Sequence, residues 1–67
     1  MKIFAERLKD LRTEAGLSTK KMGEKIGVSD ACISRWERDL REPSLENAKQ
    51  IAVFFKVSTD YLCGLED

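Results

Sequence analysis

Apolar residues recur along this chain at intervals of three and four, the spacing of one face of an α-helix. In the first segment, Phe4, Leu8 and Leu11 share one side, and charged residues share the other. No stretch of useful length alternates between apolar and polar residues with the period of two that a half-buried strand shows. The pattern predicts an all-α fold of five helices, at 3–15, 19–26, 30–38 and 45–55, with a last short helix after Ser58 that carries Tyr61 and Leu62 and either includes Leu65 or ends before it.

Glycine and serine mark the boundaries of these segments. Gly16 and Gly27 follow the first and second segments, where a glycine in the left-handed conformation commonly ends a helix. Ser18, Ser29 and Ser58 stand just before the second, third and fifth segments, where a serine side chain caps free backbone N–H groups. The connections are therefore expected to be short turns.

Residues 19–38 carry the most informative pattern, in which two helices meet across Gly27-Val28-Ser29. Glycine at 27 permits the positive φ of a tight turn. Gly23, four residues earlier, has no Cβ to hold the next helix away. Apolar side chains on both sides of the turn fix the crossing angle; they are Met22, Ile26, Val28, Ile33 and Trp36. Together these positions predict a helix-turn-helix.

The sequence resembles the Cro/cI-type, or XRE-type, helix-turn-helix regulators, which include small phage repressors. The stretches LKDLRTEAGLS, MGEKIGVSDACISRWERD, PSLENAKQIAVFF and VSTDYLCG are similar to successive parts of that family's domain. The resemblance implies a compact lambda-repressor-like domain whose third helix, 30–38, lies in the major groove of DNA.

Four residues match the family's base-facing positions: Asp30, Ala31, Ser34 and Arg35. A guanidinium at 35 can bond bidentately to guanine, and a methyl group at 31 can contact thymine. Asp30 has two interpretations, an acceptor from cytosine N4 or an acid that favours a helix N-terminus. Ile33 and Trp36 are expected to face inward and hold this helix to the body.

Phosphate contacts are expected from helix starts and from cations in the loops. Lys20 and Lys21 occupy positions where the family often has acids, and they oppose the helix dipole in the first turn of the second helix. They are either phosphate ligands or solvated lysines. The full predicted set is Ser18, Thr19, Lys20, Lys21, Ser29, Arg38 and Arg41.

Arg12 and Glu37 match a family pair that joins the first helix to the third, so we assign them a structural role beside Gly23, Gly27, Ile33 and Trp36. Positions 39 and 56 depart from the family, which usually has glycine at the first and often at the second. Aspartate tolerates a left-handed conformation at modest cost, and lysine tolerates it less well. We therefore expect the turn before Val57 to differ from the family's.

Composition restricts the other possibilities. The 67 residues suffice for one domain, 1–67, near the lower size limit for independent folding. Histidine is absent, so the usual general base at neutral pH is missing, and two cysteines without histidine make a poor metal site. We expect no enzyme activity, no cofactor and no metal. No apolar run approaches the length of a membrane span, and no signal peptide is indicated.

The formal net charge of zero conceals an uneven distribution. Residues 1–41 hold ten lysines and arginines against seven acids, whereas residues 42–67 hold two against five. This asymmetry is compatible with one face of the molecule meeting an anion.

These observations favour a cytoplasmic, sequence-specific DNA-binding transcriptional regulator, of the repressor type found in prophages or mobile elements. The resemblance implies a homodimer on a pseudo-palindromic operator, and the surface that the family often uses for dimers corresponds here to Val57 to Leu65. The alternative is a protein-interaction module of the same fold, an antitoxin or co-regulator.

Two residues have two interpretations each. Phe54 is either core or part of an apolar patch, and Cys32 is either a small spacer or a redox sensor.

Overall fold

A computed structural model describes residues 2–66 of the chain. Five α-helices and no strands are present in this range, so the predicted all-α architecture is confirmed. Met1 and Asp67, the two ends of the predicted domain, lie outside the described residues. The helices are α1 (Lys2–Glu14), α2 (Thr19–Ile26), α3 (Asp30–Glu37), α4 (Leu45–Phe55) and α5 (Thr59–Cys63).

A serine precedes each helix after the first. Ser18, Ser29, Ser44 and Ser58 have extended backbones, and each side chain accepts a hydrogen bond from the backbone N–H three residues later. The four N···Oγ distances lie between 2.9 and 3.1 Å. Because an alanine at such a cap costs about 1 kcal/mol, these serines fix where the helices begin. The predicted caps at 18, 29 and 58 are confirmed.

Left-handed residues lie at the helix ends, as the glycine positions predict. Gly16 and Gly27 have φ values of 72° and 79°. Asp39 and Lys56 adopt the same conformation, each with φ of 58°. The expectation that the turn before Val57 would differ is therefore wrong. The turn at Lys56 is stabilised by a hydrogen bond of 2.9 Å from the Val57 N–H to the Ala52 carbonyl, which offsets the cost of the left-handed lysine.

The last helix is short and ends before Leu65, the position that the sequence left open. It ends at Cys63, and Gly64, with φ of 83°, turns the chain away. Leu65 is 77% exposed and lies beyond the end of this helix.

The core lies where all five helices meet, with α3 packed on α1 and α2, and α5 packed on α1 and α4. Trp36 and Ile33 belong to it, as predicted. Its largest members are essentially without solvent contact; they are Phe4, Leu8, Met22, Ile33, Trp36, Ile51 and Leu62. Among the described residues, no helix combines the length and apolarity that crossing a bilayer requires.

Arg7 ties α1 to the C-terminal segment. Its guanidinium lies 4.3 Å from the centre of the Tyr61 ring and donates to the Tyr61 carbonyl and, at 2.7 Å, to the Glu66 carbonyl. The Ser58 hydroxyl bonds to the Glu66 carboxylate. The segment after α5 is thereby folded back against α1.

Candidate nucleic-acid interface

The third helix has one buried side and one open side. Ile33 and Trp36 are 0% and 2% exposed and anchor α3 in the core. Asp30, Ala31 and Arg35, three of the four predicted base-reading residues, are exposed. Ser34, the fourth, is half-buried. The open side of α3 therefore carries an acid, a methyl group and a guanidinium at the molecular surface.

The crossing of α2 and α3 depends on a glycine in the predicted place. A Cβ at Gly23 would overlap the carbonyl oxygen of Val28 and lie 3.4 Å from the Asp30 nitrogen. The Gly23 carbonyl accepts from the N–H groups of Gly27 and Val28, at 2.8 and 2.9 Å. The close approach at Gly23 lets α3 begin directly against α2.

Arg12 and Glu37 join α1 to α3, as the resemblance implied. Arg12 Nε lies 2.6 Å from Glu37 Oε2, and Nη2 lies 2.9 Å from Oε1. Arg12 Nη1 also donates to the Leu17 carbonyl at 2.8 Å. The two side chains are 13% and 7% exposed. The hydrogen bonds to Glu37 raise the pKa of Arg12, and the attraction of the carboxylate adds to this against the effect of burial. This bidentate pair fixes the end of α3.

The predicted phosphate ligands of α2 gather at the start of that helix. Ser18, Lys20 and Lys21 are exposed, and Thr19 is half-buried. Lys21 Nζ lies 3.8 Å from a Glu24 carboxylate oxygen, a pair in which both side chains are more than half exposed. Solvent screening leaves such a pair weak. Lys20 forms no such pair with any carboxylate in residues 2–66, so it is the freer cation of the two.

A second group of predicted residues lines one surface depression of about 460 Å³ beside α3. Its walls include Arg35 on the open side of α3, Ser29 at the start of α3 and Arg41 in the loop that follows α3. Two residues that the sequence prediction missed complete its wall: Ser44, the cap of α4, and Asn47, in the first turn of α4. The Ser44 cap followed by an amide at 47 was the available signal. Arg38 is exposed at the end of α3, apart from this depression.

Cys32 is half-buried in the same depression, and Cys63 is half-buried on α5; both are free thiols. Phe54 is half-buried and packs against the core. Within residues 2–66 no three acidic or cysteine side chains are grouped as metal ligands.

Known proteins resemble this chain over nearly its whole length. The Helix-turn-helix family model matches residues 8–62. The chain is 36% identical over 64 residues to the HTH-type transcriptional regulator ImmR of Bacillus subtilis (strain 168), covering 96% of this chain and 50% of ImmR. It is 38% identical over 64 residues to the HTH-type transcriptional activator BcrR of Enterococcus faecalis, covering 96% of this chain and 31% of BcrR. The chain thus spans half or less of the length of these relatives.

A solved structure has the same fold. It is the P22 c2 repressor protein in complex with a synthetic operator, which superimposes with a TM-score of 0.85 at 32% identity. The superposition covers 92% of this chain and 94% of the repressor chain. The chain therefore belongs to the Cro/cI-type helix-turn-helix family, with the lambda-repressor-like fold that its sequence implied.

Proposed function

We propose that this chain is the DNA-binding domain of a transcriptional regulator, and that it binds duplex DNA with the open side of α3 in the major groove. The observation that carries the proposal is the division of α3. Ile33 and Trp36 are buried, while Asp30, Ala31 and Arg35 face outward. The similarity to a repressor bound to its operator supports the same partner.

Arg35 is the main base-reading residue in this proposal. Its guanidinium is exposed and presents the planar fork that bonds to O6 and N7 of guanine. Ala31, one turn earlier on the same side, offers a methyl group to thymine. Asp30 either accepts from cytosine N4 or acts only on the helix dipole. Ser34 is half-buried and has a short side chain, so it reaches less far into the major groove than Arg35.

Phosphate contacts are proposed on both sides of α3. One group lies at the start of α2, where the predicted residues are Ser18, Thr19 and the two lysines and where a helix N-terminus favours an anion. The other lines the depression beside α3, where Ser29 and Arg41 are joined by Ser44 and Asn47. Arg38, exposed at the end of α3 outside this depression, is proposed as a further contact. These contacts fix the register of α3 and carry no sequence information themselves.

We propose that residues 1–67 act as one domain and that two copies bind a pseudo-palindromic operator, their half-sites one helical turn apart. The candidate dimer surface is Val57 to Leu65, where Leu65 is 77% exposed. Repression in a prophage or mobile element is the favoured role, a cytoplasmic location follows from it, and no catalysis, cofactor or metal is assigned.

Gel shifts on a duplex selected from a random pool test the proposal. Arg35→Ala should lower affinity for the selected duplex by about 1–3 kcal/mol while leaving nonspecific binding unchanged. Lys20→Ala should weaken binding to all duplexes alike and reduce the slope against salt by about one. Lys2→Ala is the matched control, because Lys2 is an exposed lysine on α1 outside the proposed DNA interface. It should change neither the affinity for DNA nor its dependence on salt.

The alternative function, a protein-interaction module, has one observation in its favour. Phe54 is half-buried in an apolar groove that shares no residue with the proposed DNA interface. A wild-type chain that selects no duplex, and whose weak DNA binding is insensitive to salt, would favour this alternative.

A further inference from the structure

A groove of about 450 Å³ lies between the end of α2 and the outer side of α4. We call it the α2–α4 groove; its walls include Lys25, Ile26, Glu46, Lys49, Val53 and Phe54. None of these residues belongs to the proposed DNA interface. A molecule bound in the groove would therefore leave the outward residues of α3 and the predicted phosphate ligands uncovered.

The apolar part of the groove is already formed. Phe54 packs edge-on against Phe55, with ring centres 4.9 Å apart and planes inclined by 75°. This contact holds Phe54 in place at the groove surface. Ile26, at 9% exposure, connects the groove to the core, and Val53, at 77% exposure, forms its outer lip. An exposed valine beside a fixed aromatic ring is the kind of apolar surface that partner proteins cover.

Two lysines flank these apolar residues. Lys25 lies in the last turn of α2, and Lys49 lies one turn before Val53 on α4. Neither ammonium group lies within 4 Å of a carboxylate in residues 2–66. Glu46 stands at the other end, in the first turn of α4. The groove is therefore positive beside its apolar part and negative at one end.

The dimensions of the groove fit a short helix. Its α4 wall runs from Glu46 to Phe54, which is about 12 Å at 1.5 Å per residue. An amphipathic helix laid along such a wall presents apolar side chains to it every three or four residues. About two turns of a partner helix match this length.

We propose that the α2–α4 groove binds an acidic amphipathic helix of a partner protein. Its apolar side contacts Val53, Phe54 and Ile26, and its carboxylates lie against Lys25 and Lys49. Its cationic end lies near Glu46. Because the groove and the proposed DNA interface are separate, the partner and DNA bind at the same time, so the partner is recruited to the operator rather than displaced by it.

The test is an NMR titration of the ¹⁵N-labelled chain with a designed 16-residue peptide. The peptide carries leucines on one helical side, glutamates beside them and a lysine at one end; a basic peptide replaces the glutamates with lysines. We expect the acidic peptide to shift amide signals of the groove and of no residue in the first turn of α3. We expect the basic peptide to bind at least tenfold more weakly.

Val53→Asp should weaken binding of the acidic peptide at least tenfold. Leu45→Asp is the matched control, because Leu45 is 78% exposed on the same helix but lies outside the groove walls; it should leave peptide binding unchanged. The double variant Lys25→Glu, Lys49→Glu should reverse the preference between the two peptides. Val53→Asp should retain the wild-type melting temperature and the wild-type preference for the selected duplex, which separates this inference from the proposed function.

Three results would overturn the proposal. The first is the absence of groove shifts at millimolar acidic peptide. The second is equal binding of the acidic and basic peptides, which would remove the role of the two lysines. The third is self-association of the wild type, in sedimentation experiments, that Val53→Asp abolishes and Leu45→Asp does not; a second copy of the chain would then be the occupant.

Discussion

Replacing Arg12 with alanine removes the polar connection between α1 and the end of α3. The wild-type guanidinium makes three hydrogen bonds, two to the Glu37 carboxylate and one to the Leu17 carbonyl. In the wild type the Glu37 side chain is 7% exposed, and the variant removes the cation that pairs with its carboxylate. The consequence is a nearly buried anion without a partner, which is a costly arrangement.

The expected loss is about 3 kcal/mol, the lower end of the range for removing one partner of a buried ion pair. A domain of this length has a total unfolding free energy of roughly 3–10 kcal/mol. The variant should therefore lose a large share of its stability, and its melting temperature should fall by roughly 10–20 °C. Arg12→Lys, which offers one nitrogen in place of the planar fork, should lie between the variant and the wild type.

Urea unfolding followed by circular dichroism and Trp36 fluorescence measures the loss. The double variant Arg12→Met, Glu37→Leu should be more stable than Arg12→Ala, because no charge is left buried. The loss should also change little between low and high salt, since the pair is shielded from solvent. A loss below about 1 kcal/mol, the level of an exposed pair, would refute the reasoning.

The pH dependence of the Arg12 contribution follows from the direction of its pKa shift. The bonds to Glu37 raise the pKa of Arg12 above its ordinary value. A group whose pKa is raised on folding contributes its full stabilisation below the unfolded pKa and loses it as pH rises through the folded one. The difference in unfolding free energy between wild type and Arg12→Ala should therefore stay constant from pH 7 to pH 10. A decline within that range would contradict the assignment.

Three further predictions concern the turns and the thiol. Gly23→Ala should cost about 1–3 kcal/mol, because its methyl group overlaps the Val28 carbonyl; an unchanged melting temperature would contradict the close crossing of α2 and α3. Lys56→Gly should raise the unfolding free energy by about 1 kcal/mol by relieving a left-handed lysine, whereas Lys49→Gly, inside α4, should lower it by about as much; equal losses in thermal unfolding would exclude strain at 56. Cys32→Ser should bind the selected duplex as the wild type does, with or without peroxide; a peroxide-sensitive wild type beside a resistant variant in gel shifts would establish a redox role.

Much of the fold could be predicted because its boundaries are local. A serine cap and a left-handed glycine act within one helical turn, so Ser18, Ser29 and Gly27 could be recognised without knowledge of the tertiary structure. The burial of Ile33 and Trp36 followed from their spacing alone. The place of Leu65 stayed open, because spacing alone does not register that Gly64 ends the helix before it.

Contacts between distant parts of the chain could not be predicted in the same way. Arg7 meets the Glu66 carbonyl across 59 positions, and no short pattern indicates that contact. Arg12 and Glu37 were paired in advance only through the family resemblance. Ser44 and Asn47 join Arg35 in one depression because the loop after α3 folds back beside it, which is a tertiary effect. Lys56 was misjudged because the surrounding turn overrides the preference of a single residue.

The most direct test of the central claim is a parallel selection of DNA from one random duplex pool by the wild type and by Arg35→Ala. If the open side of α3 reads bases, both proteins should select related, two-fold symmetric motifs. The variant should lose the preference for guanine at one position in each half-site and keep the rest. Identical motifs, with the same preference at every position, would show that Arg35 contacts no base and would contradict the proposed placement of α3 in the major groove.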